Sequence, residues 1–459
     1  MNANRWFFRL NRLLIMIAAL TLATAASAEW KEKALYSFQG SPDAATPAGG
    51  VVFDKAGNLY GAALGGPQGS QGTVFQLVPP AKKGDPWTEA VLYVFQGKPV
   101  NDGQIPTGGL IIDSAGNLYG VTGYGGAGNC VLLGILVGCG TVYELSPPAQ
   151  RGGAWTETVL YSFPDPKQGY LPNGNLVFDN AGNLYGATTF GGGRGTNCNS
   201  FYQYCGAVFE LSPPKKKGGK WTEKVLHGFK GGTDGANPNG GLVFDSKGAI
   251  YGTTFAGGYN CPHNSGQGCG TVFKLASPTM KGGAWTEEVL DRFNPGNSGA
   301  AEPVTGVIFD QGGNLYGTTL GGGNSGSGTI FQLATRSNGT WRERVLYRFR
   351  DGNDGSAPRG GVIFDAKGDL YGTASGGGTV GGGTVFGLKP TKQGHTWVFV
   401  TLYTFTGTPD GSYPTGSLIF DKTGNVFGTT QQSGNTGQNC GHDGCGTVFE
   451  VKGAGPAVL

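Results

Sequence analysis

Histidine, charge and long apolar runs are all scarce in this chain. Only four His and 14% charged residues occur among 459. So few His leave little material for acid–base or metal chemistry near neutral pH. The one apolar run, Leu13 to Leu22, is too short to span a bilayer. It follows Arg5, Arg9 and Arg12 and precedes the small-residue site Ala26-Ser27-Ala28. Residues 1–28 therefore read as a Sec-type signal peptide, removed after Ala28. That removal takes three Arg and no acid, leaving 33 − 3 = 30 basic against 30 acidic residues. The mature chain lacks the basic surplus that recruits phosphates, so no nucleic-acid partner is expected. It closes on "VKGAGPAVL", which offers neither a membrane span nor a surface anchor. Long helical periods are missing as well.

What is plentiful is Gly, with 89 residues, and Pro, with 25. Such a composition suggests disorder only when it has no period. Here the period is explicit. "FDKAGNLYG" at Phe53 returns in close copies, with its Asp at Asp54, Asp113, Asp179, Asp245, Asp310, Asp365 and Asp421. Each unit carries four short apolar segments, of the types "TEAVLYVF", "PTGGLIID", "GNLYGTT" and "GTVFEL". All read as strands bounded by turn residues. Seven units of four strands predict an all-β fold, a seven-bladed β-propeller over residues 29–452, with 453–459 as a short tail. The shorter rungs and capping repeats of a solenoid find no match.

The ends support a ring. Residues 30–38 form an outer-strand segment standing alone, and "GTVFEV" at Gly446 lacks the outer strand that should follow it. Together they complete one blade, which closes the circle. Trp30, Trp87, Trp155, Trp221, Trp285, Trp341 and Trp397 introduce the seven outer strands and are expected to pack at blade boundaries. Each repeat Asp is expected to accept hydrogen bonds within its own turn, with a Gly such as Gly57 in the left-handed position.

The eight Cys form local pairs, Cys130/Cys139, Cys198/Cys205, Cys261/Cys269 and Cys440/Cys445. Each lies between "LYG" and "GTVF". The stapled loops run 20, 20, 18 and 18 residues, and the Cys-free ones 11 each. With an export signal, four disulfides follow, each contributing roughly 2–3 kcal/mol. The spacings do not suit a zinc knuckle, so no metal and no cofactor is expected.

With strands named a to d from the axis outward, the d–a and b–c connections share one face, and the a–b turns and c–d loops the other. The first face carries the long irregular loops and is the candidate binding face. Residues following Pro on the inner strands stand at the channel mouth, among them Thr107, Asn173, Asn239 and Arg359. The loops after "LYG" add Tyr124, Tyr259, His263 and His442. None of the mouth positions is acidic or His, whereas hydrolases and lyases need such groups there. Asp-Gly pairs at Asp102, Asp234, Asp351 and Asp410 read as turns.

The combination GG-[LV]-[VI]-FD-x-x-GN-LYGTT…GTVFxL resembles the GloVer tandem repeat of exported bacterial "choice-of-anchor" proteins, across residues 30–451. The resemblance implies export and, in many members, a C-terminal sorting signal, which is not expected from the tail "VKGAGPAVL". It implies no activity and no catalytic residues. The expectation is an exported, non-catalytic, monomeric binding scaffold, secreted, periplasmic or surface-associated. Its expected ligand is extracellular carbohydrate or protein. The alternative is a polysaccharide hydrolase or lyase acting through residues on the b–c/d–a face.

Overall fold

A computed structural model describes residues 30–453 apart from 151, 194, 196–197, 199–203, 217, 260, 262–266, 281, 295, 297–298, 392–395, 435–439 and 441–442. The expected signal segment, His263, His395 and His442 lie outside the described residues. The chain is all-β. Its small antiparallel sheets stand in a ring as the seven blades of a propeller.

Blade 2 shows the plan, with inner strand Gly103–Ile112, then Leu118–Gly125, Thr141–Ser146 and outer strand Thr156–Ser162. Blade 7 closes as the termini predict. Lys31–Ser37 pairs antiparallel with Thr447–Lys452, with Lys31 opposite Lys452 and Tyr36 opposite Val448. Every outer strand slips register at one place, between Val142 and Tyr143 in blade 2 and at the equivalent positions elsewhere. The extra residue is the Leu of "VLY", such as Leu35 or Leu160. A bulge lets two successive apolar residues avoid opposite faces, and both of these Leu are buried.

Blades meet through aromatic rings. A Phe after each outer strand packs edge-on against the third-strand aromatic of the next blade. Phe38–Phe75, Phe163–Phe209 and Phe405–Phe449 have centroids 4.9, 5.3 and 5.0 Å apart. All seven such contacts occur, Phe95–Tyr143 among them, each worth roughly 0.5–1.5 kcal/mol beyond its buried area. The third-strand ring also explains the Gly of "LYG", because a Cβ on Gly61 would sit 2.5 Å from Phe75. The repeat Trp pack across boundaries, as Trp155 does on Tyr60 (5.8 Å) and Trp397 on Tyr316 (6.0 Å). That position, as expected, is structural.

The turn Asp do the local work expected of them. Asp54 Oδ1 accepts from the Ala56 and Asn58 amides, and Oδ2 from the Asn58 side chain and the Tyr60 hydroxyl. Gly57 has φ 88°. All eight Cys are paired as predicted, with Cα–Cα separations of 4.9 to 5.0 Å. Four disulfides are consistent with an extracellular or periplasmic protein, and no helix among the described residues is long and apolar enough to cross a membrane.

Candidate functional site

The site is built from seven Pro-containing segments that begin the inner strands. In each, the residue before Pro adopts a left-handed conformation: Thr46, Ile105, Leu171, Asn237, Glu302, Ala357 and Tyr413, with φ between 51° and 62°. Non-Gly residues rarely adopt it, still less before Pro, so the surroundings must enforce it. They do so through the preceding blade. Each of these amides donates to a carbonyl at the end of that blade's b–c loop. Examples are Ile105 N to Gln71 O (2.7 Å), Asn237 N to Cys205 O (2.7 Å) and Ala357 N to Ser327 O (2.8 Å). In four blades the acceptor is the second Cys of a disulfide, Cys445, Cys139, Cys205 or Cys269. The staples thus position the groups that fix the neighbouring blade. The following Pro presses on the next loop residue, where a Cβ on Gly140 would lie 2.5 Å from Pro172 Cδ. These contacts also place the b–c and d–a connections on one face.

After Pro, the chain turns into the central channel. The inner backbones nearly touch there. A Cβ on Gly49 would come 2.6 Å from the Gly108 carbonyl carbon, and one on Gly416 would lie 2.6 Å from the Gly50 nitrogen. This close approach is what the Gly-Gly pairs serve. Where Gly gives way to a polar residue, the side chain bridges blades, as Asn175 Oδ1 does in accepting from Gly109 N (2.7 Å) and Ser417 Oγ from Gly361 N (3.1 Å). The open cavity lined by these segments has a volume of about 490 Å³ and draws on all seven blades.

Of the residues singled out in the sequence, the structure brings three to this cavity: Asn173, Asn239 and Arg359. Asn173 Nδ2 donates to Asn239 Oδ1 (2.6 Å), while Asn173 Oδ1 accepts from Gly174 N. The exposed Arg359 guanidinium stands 5.8 Å from the Tyr413 ring centroid, a cation–π distance. The other residues fall elsewhere. Thr107 spends its hydroxyl on Pro172 O (2.8 Å). Tyr124 packs at the edge of the core beside Tyr170. Tyr259 is 56% exposed on its loop and does not line the cavity. Thr415, a cavity residue outside that selection, has a buried hydroxyl without a hydrogen-bond partner.

Two features were missed in the sequence. The first is the left-handed ring, which sets Glu302 two residues before the cavity-lining Val304. The Glu302 carboxylate lies against Gly321, and Glu302 is not among the residues lining the cavity. An invariant Pro at each inner strand was the available signal. The second is a Glu in six outer strands, at the blade boundaries. Burial pushes Glu32, Glu157, Glu223, Glu287 and Glu343 up to about 7, and all but Glu223 are also raised by an Asp close by. Glu89 and Asp43 are both raised, chiefly by burial, and share a hydrogen bond. In blade 6 the Glu is replaced by Phe399, which stacks on Tyr347 at 3.9 Å.

A second cavity of about 450 Å³ opens on the turn face between blades 5 and 6, with Tyr316, Gln332 and Trp397 in its wall.

The profile of the Gloeobacter/Verrucomicrobia repeat matches residues 21–263 and 261–458. The chain belongs to this family. No curated protein matches it. Membership of this repeat family fits a scaffold or binding role, which the propeller can fill by presenting varied side chains on one invariant frame.

Proposed function

We propose that this member of the Gloeobacter/Verrucomicrobia repeat family is an exported binding protein whose channel mouth takes an extracellular glycan. The observation that carries this reading is the Asn173–Asn239 amide pair facing Arg359 over Tyr413 in one cavity. Amides both donate and accept, which suits the paired hydroxyls of a sugar. A concave site with a few convergent polar groups is the usual form of a small-ligand pocket.

The test is a glycan array followed by calorimetry on the best binder. Asn239→Ala and Arg359→Ala should each weaken binding about tenfold or more, in line with loss of hydrogen bonds to polar ligand groups. Unchanged affinity in both variants would overturn the proposal, and concurrent loss in Trp397→Ala would move the site to the turn face. Release of reducing ends from the bound glycan would establish the hydrolase alternative instead.

A further inference from the structure

Two blade boundaries lack the Tyr that ends the other outer strands: Asp291 stands there between blades 4 and 5, and His227 between blades 3 and 4. At four boundaries a Tyr at the end of the outer strand donates to an Asp in the following connection: Tyr36 to Asp43 (3.1 Å), Tyr93 to Asp102 (3.0 Å), Tyr347 to Asp354 (2.8 Å) and Tyr403 to Asp410 (2.7 Å). Between blades 3 and 4 the Tyr position holds His227, opposite Asp234 and the outer-strand Glu287 of blade 4. One ligand atom from each of these three residues lies within 4.8 Å of the others, the single such group among the described residues.

We propose that His227, Asp234 and Glu287 bind one first-row divalent cation of the zinc type, bridging blades 3 and 4. Imidazole nitrogen with two carboxylates is a donor set such ions accept, and water fills the remaining positions. The orientation of each donor supports this. Asp234 Oδ2 accepts from Lys230 N (2.6 Å), which leaves Oδ1 directed at His227 Nε2, 3.4 Å away. That nitrogen and Glu287 Oε1 are both fully enclosed and make no aligned hydrogen bond. The His227–Asp234 contact is poorly aligned, and an ion would engage both groups together with Glu287 Oε1, whose unpartnered state is shared by the outer-strand Glu32, Glu89, Glu157 and Glu223. Charge agrees too. Two carboxylates match a divalent ion, and the nearby cations are Lys230 and Arg292, with Glu288 as a further acid. The Arg292 Nε is engaged by Thr233 O (3.0 Å). No thiol competes, since every Cys is in a disulfide. Local sequence spacing excluded a metal only because it compares neighbours in the chain, whereas these ligands come from two blades.

The experiment uses the tag-free full-length protein, stripped with chelator and titrated with Zn²⁺ by calorimetry and thermal melting. One ion per chain is expected, with a rise in Tm that saturates at one equivalent. Co²⁺ should give the visible bands of an ion with a nitrogen and oxygen shell. His227→Tyr, which installs the side chain found at other boundaries, should fold and weaken binding by more than about tenfold. Glu287→Gln should do the same. The combined variant His263→Ala, His395→Ala and His442→Ala should keep the effect. Absence of uptake by the wild type, or uptake unchanged in His227→Tyr and Glu287→Gln, would overturn the proposal.

Discussion

On the turn face, the ring repeats a side chain; on the loop face, it repeats a backbone conformation. Asp54, Asp113 and their five equivalents accept the same turn amides in every blade. Across the ring, seven left-handed residues share one conformation and one inter-blade hydrogen bond, yet they are Thr, Ile, Leu, Asn, Glu, Ala and Tyr. The reason lies in which atoms hold each element. A turn held by a carboxylate cannot change that carboxylate. A residue held by its own amide is free to vary its side chain, so the loop face can diversify without disturbing the frame.

The sharpest way to break this contrast is at glycine. Gly57 and Gly140 both have positive φ, 88° and 98°. Around Gly57 nothing lies within 4 Å of a built Cβ, whereas Gly140 faces Pro172 and the Thr122 carbonyl. Gly140→Val should cost ~4 kcal/mol or more, or abolish folding. Gly57→Ala should cost only ~1–2 kcal/mol, the left-handed penalty alone. Denaturant unfolding measures both, and equal costs would show that the blades are not locked at this contact.

Next comes the carboxylate itself. Asp113→Ala removes the acceptor of two amides, the Asn117 side chain and the Tyr119 hydroxyl. About 2 kcal/mol should be lost, since the turn is half exposed and water replaces part of the network. The same technique detects it.

A smaller effect should follow pH. Glu32, Glu157, Glu223 and Glu343 have folded values near 7, above the ordinary 4.5. The folded state therefore binds these protons more tightly than the unfolded one. Their contribution is fully present below about 4.5 and is lost as pH rises through about 7. Tm should fall by a few degrees between pH 5 and pH 8, and Glu157→Gln with Glu223→Gln should flatten the decline. A Tm that rises over that interval would contradict protonated boundaries.

The smallest effect belongs to the variable ring. Ala357→Gly relieves a left-handed Ala but loosens the unfolded chain, so stability should change by no more than about 1 kcal/mol. A larger loss would mean that the side chain, and not the amide, holds this position.

Much of this was legible in the chain of residues. Seven copies of a four-strand pattern, and two half-units that complete each other, specify the blade count and the closure. Turn chemistry at Asp54 and Gly57 is local, and so is the pairing of Cys separated by five to nine positions. Local geometry is governed by atoms close in sequence, which a repeat displays directly. The left-handed residues before Pro, the Gly-to-Pro contact and the Gly-Gly inner wall were not legible in that way. Each depends on an atom supplied by the adjacent blade, about thirty positions away for most of the amide and Pro contacts and about sixty for most of the inner wall. The same holds at the His227 boundary, where two blades bring an imidazole to two carboxylates. Ring closure sets those distances, because only the packed circle fixes how near one blade lies to the next.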